Sequence, residues 1–190
     1  MEPDDEGPHA DDSSKVCRAA ATKPFGYSPF KPSAGVGGHC IPVNPYYLFS
    51  TSNFPLLNHA TQSMAMRPSL IASRLMRELI APRDYLSPSI HAYQALVVGV
   101  GFKPGQSVLS HSPGLAMMKA LQGNWNADVS FVDPLVKEVH CAGFKRLRDE
   151  QWCQASLETF DLIVVVIRQP GLDLTVLRDL DRPLVHFCCD

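Results

Sequence analysis

Ala95-Leu96-Val97-Val98-Gly99-Val100 is the stretch whose reading decides the fold. It is a short, nearly continuous run of β-branched and aliphatic side chains, the pattern of a strand buried on both faces. Three further runs repeat it: Asp128–Val132 (DVSFV), Leu162–Ile167 (LIVVVI) and Pro183–Cys188 (PLVHFC). Between and after them, Pro113–Leu121, Leu135–Ala142, Glu150–Thr159 and Leu174–Leu180 have helix-like spacing. Strands alternating with helices predict a parallel sheet of about four strands, covered on both sides. With right-handed crossovers this is an α/β, Rossmann-like half.

Working outward, the break around Pro82–Pro88 marks the expected domain boundary. Before it, Ser69–Ile80 places Leu70, Ile71, Leu75, Met76, Leu79 and Ile80 at helical spacing, with Pro68 suited to a first turn and Pro82 to a stop. Its wide apolar stripe calls for a partner surface, and a second copy of the chain is the simplest one. Residues 1–24 are acidic, Ser-, Gly- and Pro-containing, without apolar period, and read as a flexible tail. The expected organisation is therefore a tail (1–24), a glycine–cysteine loop with a helical central segment (25–82), and the Rossmann-like domain (83–190).

Composition narrows the function classes. Of 190 residues, 45% are hydrophobic and 19% charged, which argues against a fully disordered chain. A net charge of −2 gives no footprint for nucleic acid or an anionic membrane. No apolar stretch approaches the ~20 residues that span a bilayer, and the polar start is unlike a secretory leader. Six cysteines without a C-x-x-C pair read as reduced thiols of a cytoplasmic protein, and the seven scattered histidines propose no metal site.

Chemistry concentrates in Gly35-Val36-Gly37-Gly38-His39-Cys40-Ile41-Pro42-Val43-Asn44-Pro45-Tyr46-Tyr47-Leu48. Three glycines in four positions let backbone approach a ligand closely and turn N–H groups toward an anion. A thiol directly after such a loop is placed to act as a nucleophile toward an aldehyde carbon. Gly99-Val100-Gly101 follows a strand, but Pro104 occupies the third glycine position of G-x-G-x-x-G, so it is a poor dinucleotide fingerprint.

This string resembles the catalytic-cysteine signature of the nucleotide-sugar (UDP-glucose/GDP-mannose) 6-dehydrogenases, in the form found in the UDP-N-acetylhexosamine branch. Val98-Gly99-Val100-Gly101-Phe102-Lys103-Pro104, Ser112-Pro113 and Val132-Asp133-Pro134 resemble the family's UDP-binding domain, in order and spacing. The resemblance runs from about Phe25 to the C-terminus. It implies two successive NAD-dependent oxidations of a sugar C6 alcohol to a carboxylate through a cysteine thiohemiacetal and thioester. It makes Cys40 the nucleophile and places Lys31, Gly37, Phe102 and Lys103 against a UDP-sugar of N-acetylhexosamine type. Dimerisation, as a homodimer or with a full-length relative, is also implied.

The departures shape the expectation. The family's N-terminal NAD-binding domain has no counterpart in these residues, so no cofactor-binding residue is assigned. Its Asn-Asp pair is replaced by Ser63-Met64-Ala65-Met66-Arg67-Pro68, and Ser110 stands where the family has an arginine that reaches the cofactor. Losing that guanidinium removes a bidentate clamp on an anion. One reading is a dehydrogenase-like chain that needs a partner to bring NAD. The alternative is a non-catalytic truncated paralogue that keeps the fold and perhaps UDP-sugar binding or dimerisation. A partial gene product is the third.

Overall fold

A computed structural model describes residues 10–23, 25–27, 33–81, 92–141 and 143–188. The chain divides into two compact units, residues 1–32 with 190, and Ser33–Cys189. In the first, Ala10–Ala21 forms helix α1, in a stretch whose sequence showed no apolar period. The Tyr27 hydroxyl lies 3.3 Å from the Cys17 sulfur, donating to it.

The second unit begins with a loop that leads into α2 (Asn44–Phe49) and then α3 (Pro55–Ile80). Here the structure corrects the sequence reading, because α3 starts at Pro55 and Pro68 lies inside it. Proline is favoured in a first turn, and Pro55 takes that role after the extended Phe54. Pro68 is tolerated although it brings no N–H to the carbonyl four residues back. It is buried in the helix interior.

The sheet has five parallel strands in the order β3-β2-β1-β4-β5. These are β1 (Gln94–Val98), β2 (Asp128–Val132), β3 (Lys145–Arg146), β4 (Leu162–Val165) and β5 (Leu184–Phe187). Four match the predicted runs; β3 is a two-residue edge strand beyond them. Helix α4 (Pro113–Trp125) follows β1. The other three expected helices shrink to 3-10 turns at Glu138–His140, Asp149–Gln151 and Thr175–Asp179, and to a four-residue helix α5 (Gln154–Leu157).

Alternating strand residues divide between two cores. Ala95, Val97, Phe131, Leu162 and Val164 pack with Ala72, Leu75, Met76 and Leu79 of α3 and Met117, Met118 and Leu121 of α4. Leu96, Val98, Val132, Ile163 and Val165 face Leu147, Leu157, Phe160 and Leu177 on the other side. Leu75, Met76 and Leu79 of the Ser69–Ile80 stripe are therefore covered within the chain, whereas Leu70 stays exposed, as do Ile41, Tyr47, Leu56 and Met66. Among the described residues, no helix is long and apolar enough to cross a membrane.

Edge strand β5 carries a pH-sensitive contact. Burial, and then the Arg74 guanidinium, hold the His186 imidazole below its ordinary value near 6.5, with Glu78 opposing. Arg74 Nη2 lies 3.4 Å from His186 Nε2, which a guanidinium can only approach as donor. As pH falls through the ordinary value, the unfolded chain takes up this proton before the folded one, so stability falls. Melting temperatures should decline between about pH 7 and pH 5. In His186→Gln that decline should be smaller; an identical pH profile would rule out the contribution.

Candidate functional site

Folding brings the glycine loop onto the turn that follows β1. A Cβ added at Gly37 would lie 2.8 Å from Phe102 Cβ, 3.0 Å from Pro113 Cδ and 3.1 Å from the His111 carbonyl oxygen. At Gly38, with φ +96°, it would meet the Phe102 ring at 3.0 Å. Only glycines allow this approach, so two sequence-distant motifs form one surface. Gly38 N donates to the Ser110 carbonyl at 2.8 Å, and the His39 ring meets Phe102 edge-on at 6.5 Å between centroids.

Two histidines tie the halves together. His111 Nδ1 lies 3.1 Å from the Gly38 carbonyl, 73 residues away in sequence, and donates to it. Ser110 Oγ lies 3.1 Å from His39 Nδ1. Ser110 stands where the family has an arginine, and that role gives no hint of a contact with His39. Nothing in the spacing of either segment could have signalled it.

Cys40 follows as an exposed thiol. Its carbonyl accepts from Val43 N at 3.1 Å and Asn44 N at 2.8 Å, fixing the turn that opens α2. Lys103 is exposed beside Phe102. Lys31 lies outside the described residues.

Behind the turn, Ser112 explains the Ser112-Pro113 pair. Its hydroxyl accepts from Leu115 N at 3.0 Å, capping α4, and donates to the Val100 carbonyl at 2.5 Å. Pro113 takes the first helical turn, where no N–H is required. Gly114 permits α4 to sit against β1's end, since a Cβ there would lie 2.9 Å from Val100 Cα.

The Gly99–Gly101 turn does not fit a dinucleotide. Its N–H groups at Val100 and Gly101 donate to the buried Asp133 carboxylate at 2.8 and 3.2 Å, so they are already satisfied by an anion of the chain itself. Leu135 N donates to the other carboxylate oxygen at 2.9 Å. These two N–H groups are therefore not free to meet a pyrophosphate.

An open cavity of about 640 Å³ lies next to the loop. Ile41, Tyr46, Met64, Pro68, His111 and Lys119 are among its lining, whereas Cys40, Phe102 and Lys103 are not.

Residues 9–66 match the UDP-glucose/GDP-mannose dehydrogenase family, central domain. That match begins within the stretch expected to be a tail. Over 141 residues the chain is 23% identical to UDP-N-acetyl-D-mannosamine dehydrogenase of Campylobacter jejuni, covering 73% of this chain and 33% of that protein. The corresponding enzyme of Pyrococcus horikoshii is 32% identical over 111 residues, 57% of this chain and 25% of its own length. UDP-N-acetyl-D-glucosamine 6-dehydrogenase of Pseudomonas aeruginosa is 28% identical over 139 residues, covering 66% and 29%. In fold, the chain is similar to a solved UDP-glucose dehydrogenase of Pyrobaculum islandicum, with TM-score 0.69, 20% identity, and coverage of 93% of this chain and 40% of that one. The chain thus spans a third or less of the length of these curated relatives.

Proposed function

We propose that the chain, whose residues 9–66 match the central domain of the UDP-glucose/GDP-mannose dehydrogenase family, forms the sugar-nucleotide side of a UDP-N-acetylhexosamine dehydrogenase. The observation that carries this reading is the close packing of Gly37 and Gly38 on Phe102, which joins the cysteine loop to the Phe102–Lys103 turn. The substrate lies along that seam, with Gly37 and Phe102 against it. An ammonium at Lys103 stabilises negative charge on the sugar nucleotide.

Cys40 is the nucleophile. Its sulfur adds to an aldehyde-level sugar carbon, and the thiol proton ends on the former carbonyl oxygen, giving a thiohemiacetal. Oxidation before and after that addition uses NAD as the hydride acceptor, supplied from outside the described residues. The exposed side chains of Ile41, Tyr47, Leu56 and Leu70 offer the apolar surface for a second copy or a full-length relative.

A second reading is a non-catalytic paralogue that binds nucleotide sugar only. It is favoured by serine at position 110, where the family has an arginine.

Thiol labelling tests the shared premise. Cys153 is exposed, and hydrogen bonding with Ser156 holds its thiol below the usual value, so it reports reagent access. UDP-N-acetylglucosamine at ten times its Kd should slow iodoacetamide labelling of Cys40 about tenfold and leave Cys153 unchanged. Equal slowing at both sites, or none at Cys40, would place the ligand elsewhere.

A further inference from the structure

Two buried polar side chains stand behind the Phe102–Lys103 turn, one after β2 and one after β4. Asp133 is fully buried and Gln169 is 4% exposed. Asp133 receives Val100 N and Gly101 N on the arm that enters the turn. Gln169 holds the arm that leaves it: its Oε1 accepts from Gly105 N at 2.8 Å, and its Nε2 donates to the Gln106 carbonyl at 3.1 Å. The same Nε2 lies 3.2 Å from Asp133 Oδ2 and donates to it. One amide therefore bridges both arms.

The fit is close. A Cβ at Gly101 would lie 3.0 Å from Gln169 Nε2 and 2.5 Å from the Gln106 carbonyl oxygen. Across the turn, Phe102 N donates to the Val108 carbonyl at 3.0 Å and Gln106 N to the Lys103 carbonyl at 3.3 Å. The spacing of the two arms sets the direction in which Phe102 and Lys103 project.

We propose that Gln169, acting with Asp133, is the positioning residue of the Phe102–Lys103 turn and sets its affinity for the nucleotide sugar. The proposal rests on the substrate role given to that turn above. Glutamine suits the task because one planar amide supplies an acceptor to Gly105 and two donors, to Gln106 and Asp133. A glutamate would lack the donors and face the Asp133 carboxylate; an alanine would take the side-chain partner away from Gly105 N and the Gln106 carbonyl and leave Asp133 Oδ2 with Val100 N and Gly101 N alone. The other groups near this network are Arg146, whose Nε donates to the Asp133 carbonyl at 3.3 Å, and Cys141, whose thiol is pushed up by burial and by Asp133. Lys103 lies on the turn itself.

The test uses the full chain, with UDP-N-acetylglucosamine affinity measured calorimetrically and Gly105 amide exchange followed by NMR. Gln169→Ala should weaken binding about tenfold and speed Gly105 exchange by a similar factor. Gln169→Glu should behave likewise at pH 8 but recover toward pH 5, because two facing carboxylates then share a proton that restores one donor. Each affinity is taken relative to wild type at the same pH, which cancels titrations common to both. Unchanged affinity and unchanged exchange in Gln169→Ala would overturn the proposal. Should that variant not fold, Gln169→Glu decides: acid recovery supports positioning, a flat ratio contradicts it. If wild type binds no UDP-N-acetylglucosamine, the substrate reading fails on its own, and Gly105 exchange in the variants still decides whether Gln169 holds the turn.

Discussion

Replacing Gly99 with alanine should lower the melting temperature on the order of 10 °C. Gly99 sits at φ +76°, and an added Cβ would overlap the Ile167 carbonyl oxygen, with the Ile167 carbonyl carbon 2.9 Å away. Neither neighbour can move freely. Gly99 N donates to the Val132 carbonyl at 2.9 Å, and Val166 N and Ile167 N both donate to the Val98 carbonyl, at 2.9 and 3.3 Å. The left-handed conformation costs an alanine about 1–2 kcal/mol, and forcing an atom into packed backbone about 1–3 more. A total near 3 kcal/mol is large against the roughly 5–15 kcal/mol that holds a native domain together.

Gly123 supplies the control. It lies in α4, exposed, with nothing within 4 Å of an added Cβ. Gly123→Ala should raise stability by about 0.5–1 kcal/mol through helix propensity alone. Equal and small effects at both positions would mean that β1 and β4 do not close on each other as described.

The same closure explains what the sequence reveals and what it conceals. β1 and β4 are legible because both faces are buried, which turns Ala95–Val98 and Leu162–Val165 into unbroken apolar runs. β3 is not, since a strand of Lys145 and Arg146 has no apolar period to read. The first half of α3 is hidden by Pro68, which elsewhere marks a helix start but here sits inside one. The segments 135–142, 150–159 and 174–180 have helical spacing yet need to cover only one narrow face, and short turns suffice.

At the site, the glycine–cysteine string and Phe102–Lys103 are legible as motifs. Their meeting through Gly37, Gly38 and Phe102 is a tertiary fact with no local signature. Gln169 is less legible still. A lone glutamine before Pro170 in a loop gives no hint that it is buried, and its three partners become evident only once β2 and β4 flank β1.

The second large effect is ligand stabilisation, and it bears on the central claim that the cysteine loop and the Phe102–Lys103 turn together bind a UDP-sugar. A ligand that binds only the folded state adds RT ln(1 + [L]/Kd) to stability. At about 100 times Kd this is ~2.7 kcal/mol, a rise of about 5–10 °C for a chain of this size. NAD should add nothing, because Asp133 already occupies the N–H groups that a pyrophosphate would need.

A melting titration of the full chain against UDP-N-acetylglucosamine, with NAD as the parallel ligand, is therefore the most direct test. The account predicts a saturable rise with UDP-N-acetylglucosamine and a flat line with NAD. A cooperative melt that neither ligand moves, or one that NAD alone raises, would contradict it.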